Sequence, residues 1–151
     1  MKVCVGGTFN ILHKGHKKLI DKAFETAGNN GEVFIGVSQG ALLKNKKFVR
    51  SFDERLKAIN TYLHSKGFDE KAVVEPIFDI YGNAIHANFD AIIVSPGSAK
   101  NAEEINKKRT KKGNKPLKII KIEYVLAEDK KPISSTRIYN KKITEDGKIL
   151  N

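Results

Sequence analysis

The sequence has one cysteine, Cys4, and no tryptophan. A single thiol excludes an internal disulfide framework and a multi-cysteine zinc site. No apolar run approaches the roughly 18 residues a membrane-spanning helix needs. The opening MKVCV shows no charged-then-apolar leader. Two phosphate-binding fingerprints are also missing: there is no G-x-G-x-x-G and no G-x-x-x-x-G-K-[ST], which sets aside a dinucleotide fingerprint and a P-loop. There is no internal repeat, low-complexity segment or linker. With 40% hydrophobic and 30% charged residues, the composition is that of a globular chain, not a disordered, collagenous or membrane-bundle one. These absences predict a cytoplasmic protein of one domain, residues 1–151, long enough to bury roughly two-thirds of its unfolded surface.

Positive charge is abundant. The formal net charge is +11, and 28 residues are Lys or Arg, only four of them arginine (Arg50, Arg55, Arg109, Arg137). Such an excess suits an anionic partner, whether nucleic acid, an acidic membrane or a phosphorylated small molecule. It also fits lysines that are simply solvated. The lysines are spread along the chain rather than clustered with exposed aromatics, which disfavours a nucleic-acid module.

Short apolar runs alternate with helical patterns. Val3–Val5, Glu32–Ser38, Ala72–Phe78, Ala91–Ser95 and Leu117–Ile122 read as strands. From His16, residues Leu19, Ile20, Ala23, Phe24 and Ala27 share one helical face, and Gly28–Gly31 ends it. Ser51 with Glu54 forms a capping box for a helix whose core stripe is Leu56, Ile59 and Leu63. Asn83–Asn88 reads as a short helical turn, Ala99–Lys112 as a polar helix and Ser134–Lys142 as a C-terminal helix, with Glu145–Asn151 expected to fray. Strands apolar on both faces, alternating with helices, predict an open parallel α/β sheet of about five strands with helices on both faces.

Such sheets bind ligands beyond the carboxyl ends of their strands, where strand order reverses. The residues after the first strand are Gly6-Gly7-Thr8-Phe9-Asn10-Ile11-Leu12-His13-Lys14-Gly15-His16. Paired glycines let the backbone turn and approach a ligand. The helix that follows offers free N–H groups and a positive dipole end to an anion. His13 and His16 can reach one phosphate-sized group, with Gly15 leaving room. The two histidines could instead ligate a metal, though no third ligand stands nearby in sequence, or merely hydrogen-bond within the loop. Near the C-terminus, Ile133-Ser134-Ser135-Thr136-Arg137 sets serine at a helix N-cap and a planar guanidinium one turn in, both suited to phosphate oxygens.

GGTFNILHKGH resembles the first signature, and ISSTR the second, of the nucleotidyltransferase superfamily with the HxGH motif. Together, in this order and about 120 residues apart, they are strongly specific, and the resemblance covers nearly the whole chain. It implies a single Rossmann-like domain. It further implies one-step nucleotidyl transfer, in which an acceptor phosphate attacks the α-phosphate of a nucleoside triphosphate and pyrophosphate leaves. By the same resemblance, His16 contacts the α-phosphate and His13 the β-phosphate side. The backbone of Gly7, Thr8 and Phe9 lies along the phosphates, and Ser134, Ser135, Thr136 and Arg137 grip the leaving phosphates. Lys44, with Lys46 and Lys47 as rivals, bridges acceptor and α-phosphate. Magnesium accompanies ATP, held mainly by phosphate oxygens and not by dedicated protein ligands. Arg109 is expected near the adenine side, and Asn10 stands where many relatives carry Asp.

Within the superfamily, ISSTR and the pair Ala91–Pro96 and Ile105–Arg109 are similar to the archaeal and eukaryotic branch of the phosphopantetheine adenylyltransferases, as is Val49–Arg55. The departure is Gly97-Ser98 in place of a Glu-Thr pair. The implied partners are ATP and 4′-phosphopantetheine, with dephospho-CoA or CoA as product or inhibitor, and neither nucleic acid nor a membrane. Nicotinamide mononucleotide and flavin mononucleotide are the rival acceptors.

Overall fold

The computed structural model describes residues 1–151. Five strands, β1 (Lys2–Gly7), β2 (Glu32–Ser38), β3 (Ala72–Ile77), β4 (Ala91–Val94) and β5 (Lys118–Lys121), form one sheet in the order β3-β2-β1-β4-β5. All four pairings are parallel. The order runs outward in both directions from β1, so strand order reverses between β1 and β4, and a crevice opens above their carboxyl ends.

Alternation along the strands sorts the core into two layers. Val3, Val5, Val33, Ile35, Val37, Ala91 and Ile93 pack against α1 (Lys14–Ala27) and α2 (Phe52–Lys66). Cys4, Ile92 and Val94 point the other way, onto α3 (Ala99–Lys111) and the turns around Ala84 and Phe89. A strand buried on both faces needs apolar residues at every position, and β4, AIIV, is buried throughout. No helix is long and apolar enough to cross a membrane.

Three expectations change. In α2 the position one turn before Ile59 is held not by Leu56 but by Arg55, which is 1% exposed; Leu56 rotates out of the stripe. Residues 83–87, by contrast, make the expected short helical turn, the Ala87 N–H donating to the Asn83 carbonyl (2.9 Å); it follows a turn begun by Asp79, whose Oδ1 accepts from the Tyr81 and Gly82 N–H groups. The C-terminal helix α4 is only Ser135–Tyr139. Finally, the last residues are tied down. Bridges join Leu126 to Pro132 and Ile143 to Ile149, and Ile143 packs with Ala127 and Ile133 in a small separate cluster. The Glu145 carbonyl accepts from the Lys14 N–H. Apolar residues spaced without helical or strand period gave no warning of this unit.

Candidate active site

β1 ends at Gly7, and the chain turns over Thr8 and Phe9 into α1. Phe9 adopts a left-handed backbone (φ 50°) while its ring is buried. That conformation is unfavourable for a non-glycine residue and persists only when packing enforces it. Here the ring centroid lies 5.2 Å from that of His16, and a Cβ at Gly7 would stand 3.2 Å from Phe9 Cε2. Gly7 is therefore small because Phe9 folds back over it.

The two histidines cap α1 by an unusual reciprocal arrangement. His13 Nδ1 accepts from the N–H groups of Gly15 (3.0 Å) and His16 (3.4 Å), and His16 Nδ1 accepts from the His13 N–H (3.2 Å). The rings stack with centroids 3.7 Å apart. A nitrogen that accepts from a backbone amide carries no proton, so each neutral ring holds its hydrogen on Nε2. Burial lowers His13 to about 4 and, with the neighbouring His13 ring, lowers His16 to about 3. Both are uncharged donors at neutral pH.

This revises the sequence reading of the helix end. The amides of Lys14, Gly15, His16 and Lys17 are all engaged within the protein, so none is free for an anion. The imidazoles take up those N–H groups on one edge and present Nε2–H on the other. Gly15 must be small for the same reason: a Cβ there would stand 2.9 Å from His13 Cε1.

The second motif docks onto the first. Ser135 Oγ accepts from the Ile11 N–H (3.1 Å) and donates to the Ile11 carbonyl (3.2 Å), across 124 residues of chain. Ser134 Oγ caps α4 by accepting from the Arg137 N–H. His13, Gly15, His16, Ser134, Ser135 and Thr136 line one cleft of about 690 Å³, together with Tyr124 on its far wall. A second, mostly apolar groove of about 360 Å³ runs on the α3 side between Ile77, Tyr81, Ala84 and Ile105, with Cys4 in its wall. The two cavities share two residues, Thr8 and Lys46.

Among the basic residues after β2, Lys46 is the one at this junction: its Nζ donates to Thr8 Oγ1 at 2.5 Å. Partial burial, then the nearby Arg55 charge, hold it below the usual lysine range. Lys44 caps a short helical turn, is exposed and lines neither cavity, because that turn carries it away. The Asn10 amide grips the loop as well, donating to the Phe48 carbonyl and accepting from the Arg50 N–H, both at 2.8 Å. Phe48 stacks on Tyr139 of α4 at 4.2 Å.

Two arginines lie elsewhere than expected. The Arg137 guanidinium pairs with Asp129 and donates to the Pro132 carbonyl (3.0 Å), so it braces the turn before α4 rather than lining the cleft. A carboxylate with a carbonyl beside it matches the guanidinium fork better than open solvent does. Arg109 is buried and donates to the carbonyls of Ala84, Ala87 and Lys115 (each 2.8 Å). It borders a depression with Met1, Asp90 and Lys118, at the amino ends of the strands, opposite the crevice. Arg55 is the functional candidate that sequence reasoning missed, whereas Lys46, weighed there as a rival of Lys44, is the lysine the structure brings to the junction. The available signal was an arginine at an apolar-stripe position, in register with Ile59 and Leu63.

The cytidylyltransferase-like family matches residues 4–141. The phosphopantetheine adenylyltransferase of Methanosarcina mazei is 46% identical over 98% of this chain and 96% of its own length. That of Archaeoglobus fulgidus is 38% identical over 99% and 100%. A crystal structure of an Archaeoglobus fulgidus protein described as of unknown function matches with a TM-score of 0.73 and 35% identity, over 81% of this chain and 89% of that one. The signatures that cap α1 and α4 thus sit in a chain that belongs to the cytidylyltransferase-like family and, within it, to the phosphopantetheine adenylyltransferases.

Proposed function

We propose that the chain transfers the adenylyl group of ATP to the phosphate of 4′-phosphopantetheine, with ATP in the larger cleft and the pantetheine arm in the apolar groove. The observation that carries this assignment is the junction of the two cavities at Thr8 and Lys46. A reaction joining two phosphates needs its two substrates to meet at a cation, and Lys46 is the lysine common to both cavities.

The acceptor phosphate is already an anion at neutral pH, so no base has to remove a proton. One of its oxygens attacks the α-phosphorus in line, the bond to the β-phosphate oxygen breaks, and pyrophosphate leaves with that electron pair. The protein supplies positioning and charge stabilisation. Lys46 touches acceptor and α-phosphate together. The Nε2–H groups of His16 and His13 donate to α- and β-phosphate oxygens without gaining or losing a proton. The Gly7–Phe9 backbone lies along the chain of phosphates, and Ser134 and Thr136 face the leaving pyrophosphate. Ser135 holds the two motifs together. Arg137 supports this end of the cleft from outside through Asp129.

Magnesium suits this site as part of the substrate. No three His, Cys, Asp or Glu side chains cluster to hold a metal ion, and Glu123 is the single acidic residue lining the cleft. The ion's chemistry, neutralising phosphate charge, would be supplied on the triphosphate oxygens. We assign the protein to the cytoplasm, where ATP is plentiful, and treat dephospho-CoA and CoA as ligands of the same groove.

Pyrophosphate release with ATP and magnesium, offering 4′-phosphopantetheine, nicotinamide mononucleotide and flavin mononucleotide in separate reactions, tests the reading. Turnover with phosphopantetheine alone is expected. Turnover with a flat-ringed acceptor instead would reassign the groove.

A further inference from the structure

Arg55 is the largest fully buried side chain of the molecule. A buried guanidinium ordinarily faces a carboxylate, because an uncompensated charge in a poorly polarisable interior is unfavourable. Arg55 faces none. Its Nε donates to the Arg50 carbonyl (2.9 Å), one terminal nitrogen to the carbonyls of Thr8 (3.0 Å) and Ser38 (2.8 Å), and the other to Gln39 Oε1 (3.2 Å). Phe52 packs near its face, 5.8 Å from the guanidinium carbon. All four acceptors are neutral, and they are not scattered. Ser38 and Gln39 begin the segment that carries Lys46, Arg50 ends it, and Thr8 is the residue whose hydroxyl receives Lys46.

We propose that Arg55 is the positioning residue of the transfer site, a single planar fork that fixes both ends of the Lys46 loop to the backbone of Thr8. The inference rests on the transfer reaction proposed above. Geometry requires a fork: the four acceptors come from three separate chain segments, and an ammonium at one point cannot satisfy them together. The charge has a second consequence. With no acid beside it, Arg55 leaves its positive potential to the junction, where the two phosphates meet, and each substrate anion supplies the counter-charge that the protein omits. Arg55 touches no substrate. It acts through Thr8 and Lys46.

The test compares Arg55→Lys and Arg55→Ala with wild type, each brought to the same folded concentration by circular dichroism and thermal melting. Wild-type turnover of ATP and phosphopantetheine is measured first; its absence overturns the reaction on which the inference stands, and with it the inference. Given turnover, Arg55→Lys is expected to lower kcat about 100-fold, the scale of a misplacement near 1 Å, with both KM values within about threefold. Arg55→Ala is expected to regain at least about tenfold in kcat with guanidinium at tens of millimolar but not with the same concentration of sodium or methylammonium, because only the planar cation refills the fork. Unchanged kcat in folded Arg55→Lys overturns the proposal, as does activity of Arg55→Ala that follows its folded fraction alone and ignores guanidinium. Should Arg55→Ala not fold, Arg55→Lys decides by the same split of kcat from KM.

Discussion

The paired histidines tie stability to pH with a definite sign. In the unfolded chain both titrate near 6.5; in the fold His13 lies at about 4 and His16 at about 3, through burial. Depressed values mean that the native state refuses protons the unfolded chain accepts. The stabilisation is therefore complete above about pH 6.5 and is lost as pH falls toward 4 and 3. Each refused proton is worth up to about 1.4 kcal/mol per pH unit once the unfolded histidines are protonated, so between pH 6.5 and 5 the two together remove about 3 kcal/mol. That is a large part of the roughly 5–15 kcal/mol that stabilises a domain. The assay is urea unfolding at pH 7 and pH 5 in matched salt. The control is His13→Asn with His16→Gln, which keeps hydrogen-bonding side chains at the helix start but does not titrate. His64, His86 and the carboxylates contribute equally to both proteins, so the difference isolates the pair. A wild-type loss exceeding the double variant's by about 3–4 kcal/mol is predicted. Equal losses in the two proteins would refute the capping arrangement.

Other consequences follow from the same geometry. Lys46→Ala should lower kcat/KM by roughly 10²–10³, as for loss of one transition-state donor, while Lys44→Ala, which faces neither cavity, leaves steady-state kinetics unchanged. Gly15→Ala drives a methyl to 2.9 Å from His13 Cε1; urea unfolding should show a loss of about 1–3 kcal/mol, typical of overpacking, with turnover falling alongside. Arg137→Ala should lower the melting temperature by releasing Asp129 and the turn before α4, with the KM for ATP little changed; a large rise in that KM would return Arg137 to the phosphates. Cys4, whose thiol burial raises to about 12, should resist alkylation in the native protein and label at once in urea.

Much of the fold is legible because its signals are local. β2 and β4 announce themselves as unbroken apolar runs, and α1 as a stripe from Ile20 to Ala27 closed by Gly28. The phosphate loop is legible because Gly7, His13, Gly15 and His16 lie within ten residues. What stays hidden is set by contacts between distant segments. The choice of Lys46 over Lys44 depends on how a short helical turn at Gly40–Leu43 rotates the loop. Arg55 stands in register with Ile59 and Leu63, a local sign of burial, but its role is hidden until four carbonyl-type acceptors from distant segments converge on it. The Glu145–Asn151 segment looks dispensable because its anchors, Lys14 and Glu128, are remote in sequence. Even the helix N-terminus misleads: sequence counts its amides as free, whereas the fold passes them through two imidazoles.

The central claim is that neutral His16 stabilises the transferring phosphate at the meeting point of two cavities. Single-turnover formation of dephospho-CoA from ATP and phosphopantetheine, by wild type and by His16→Ala at equal folded concentration, tests it most directly. The account predicts that the variant binds ATP within about tenfold of wild type yet transfers at least about 10³ times more slowly. Transfer at an undiminished rate by folded His16→Ala would contradict it.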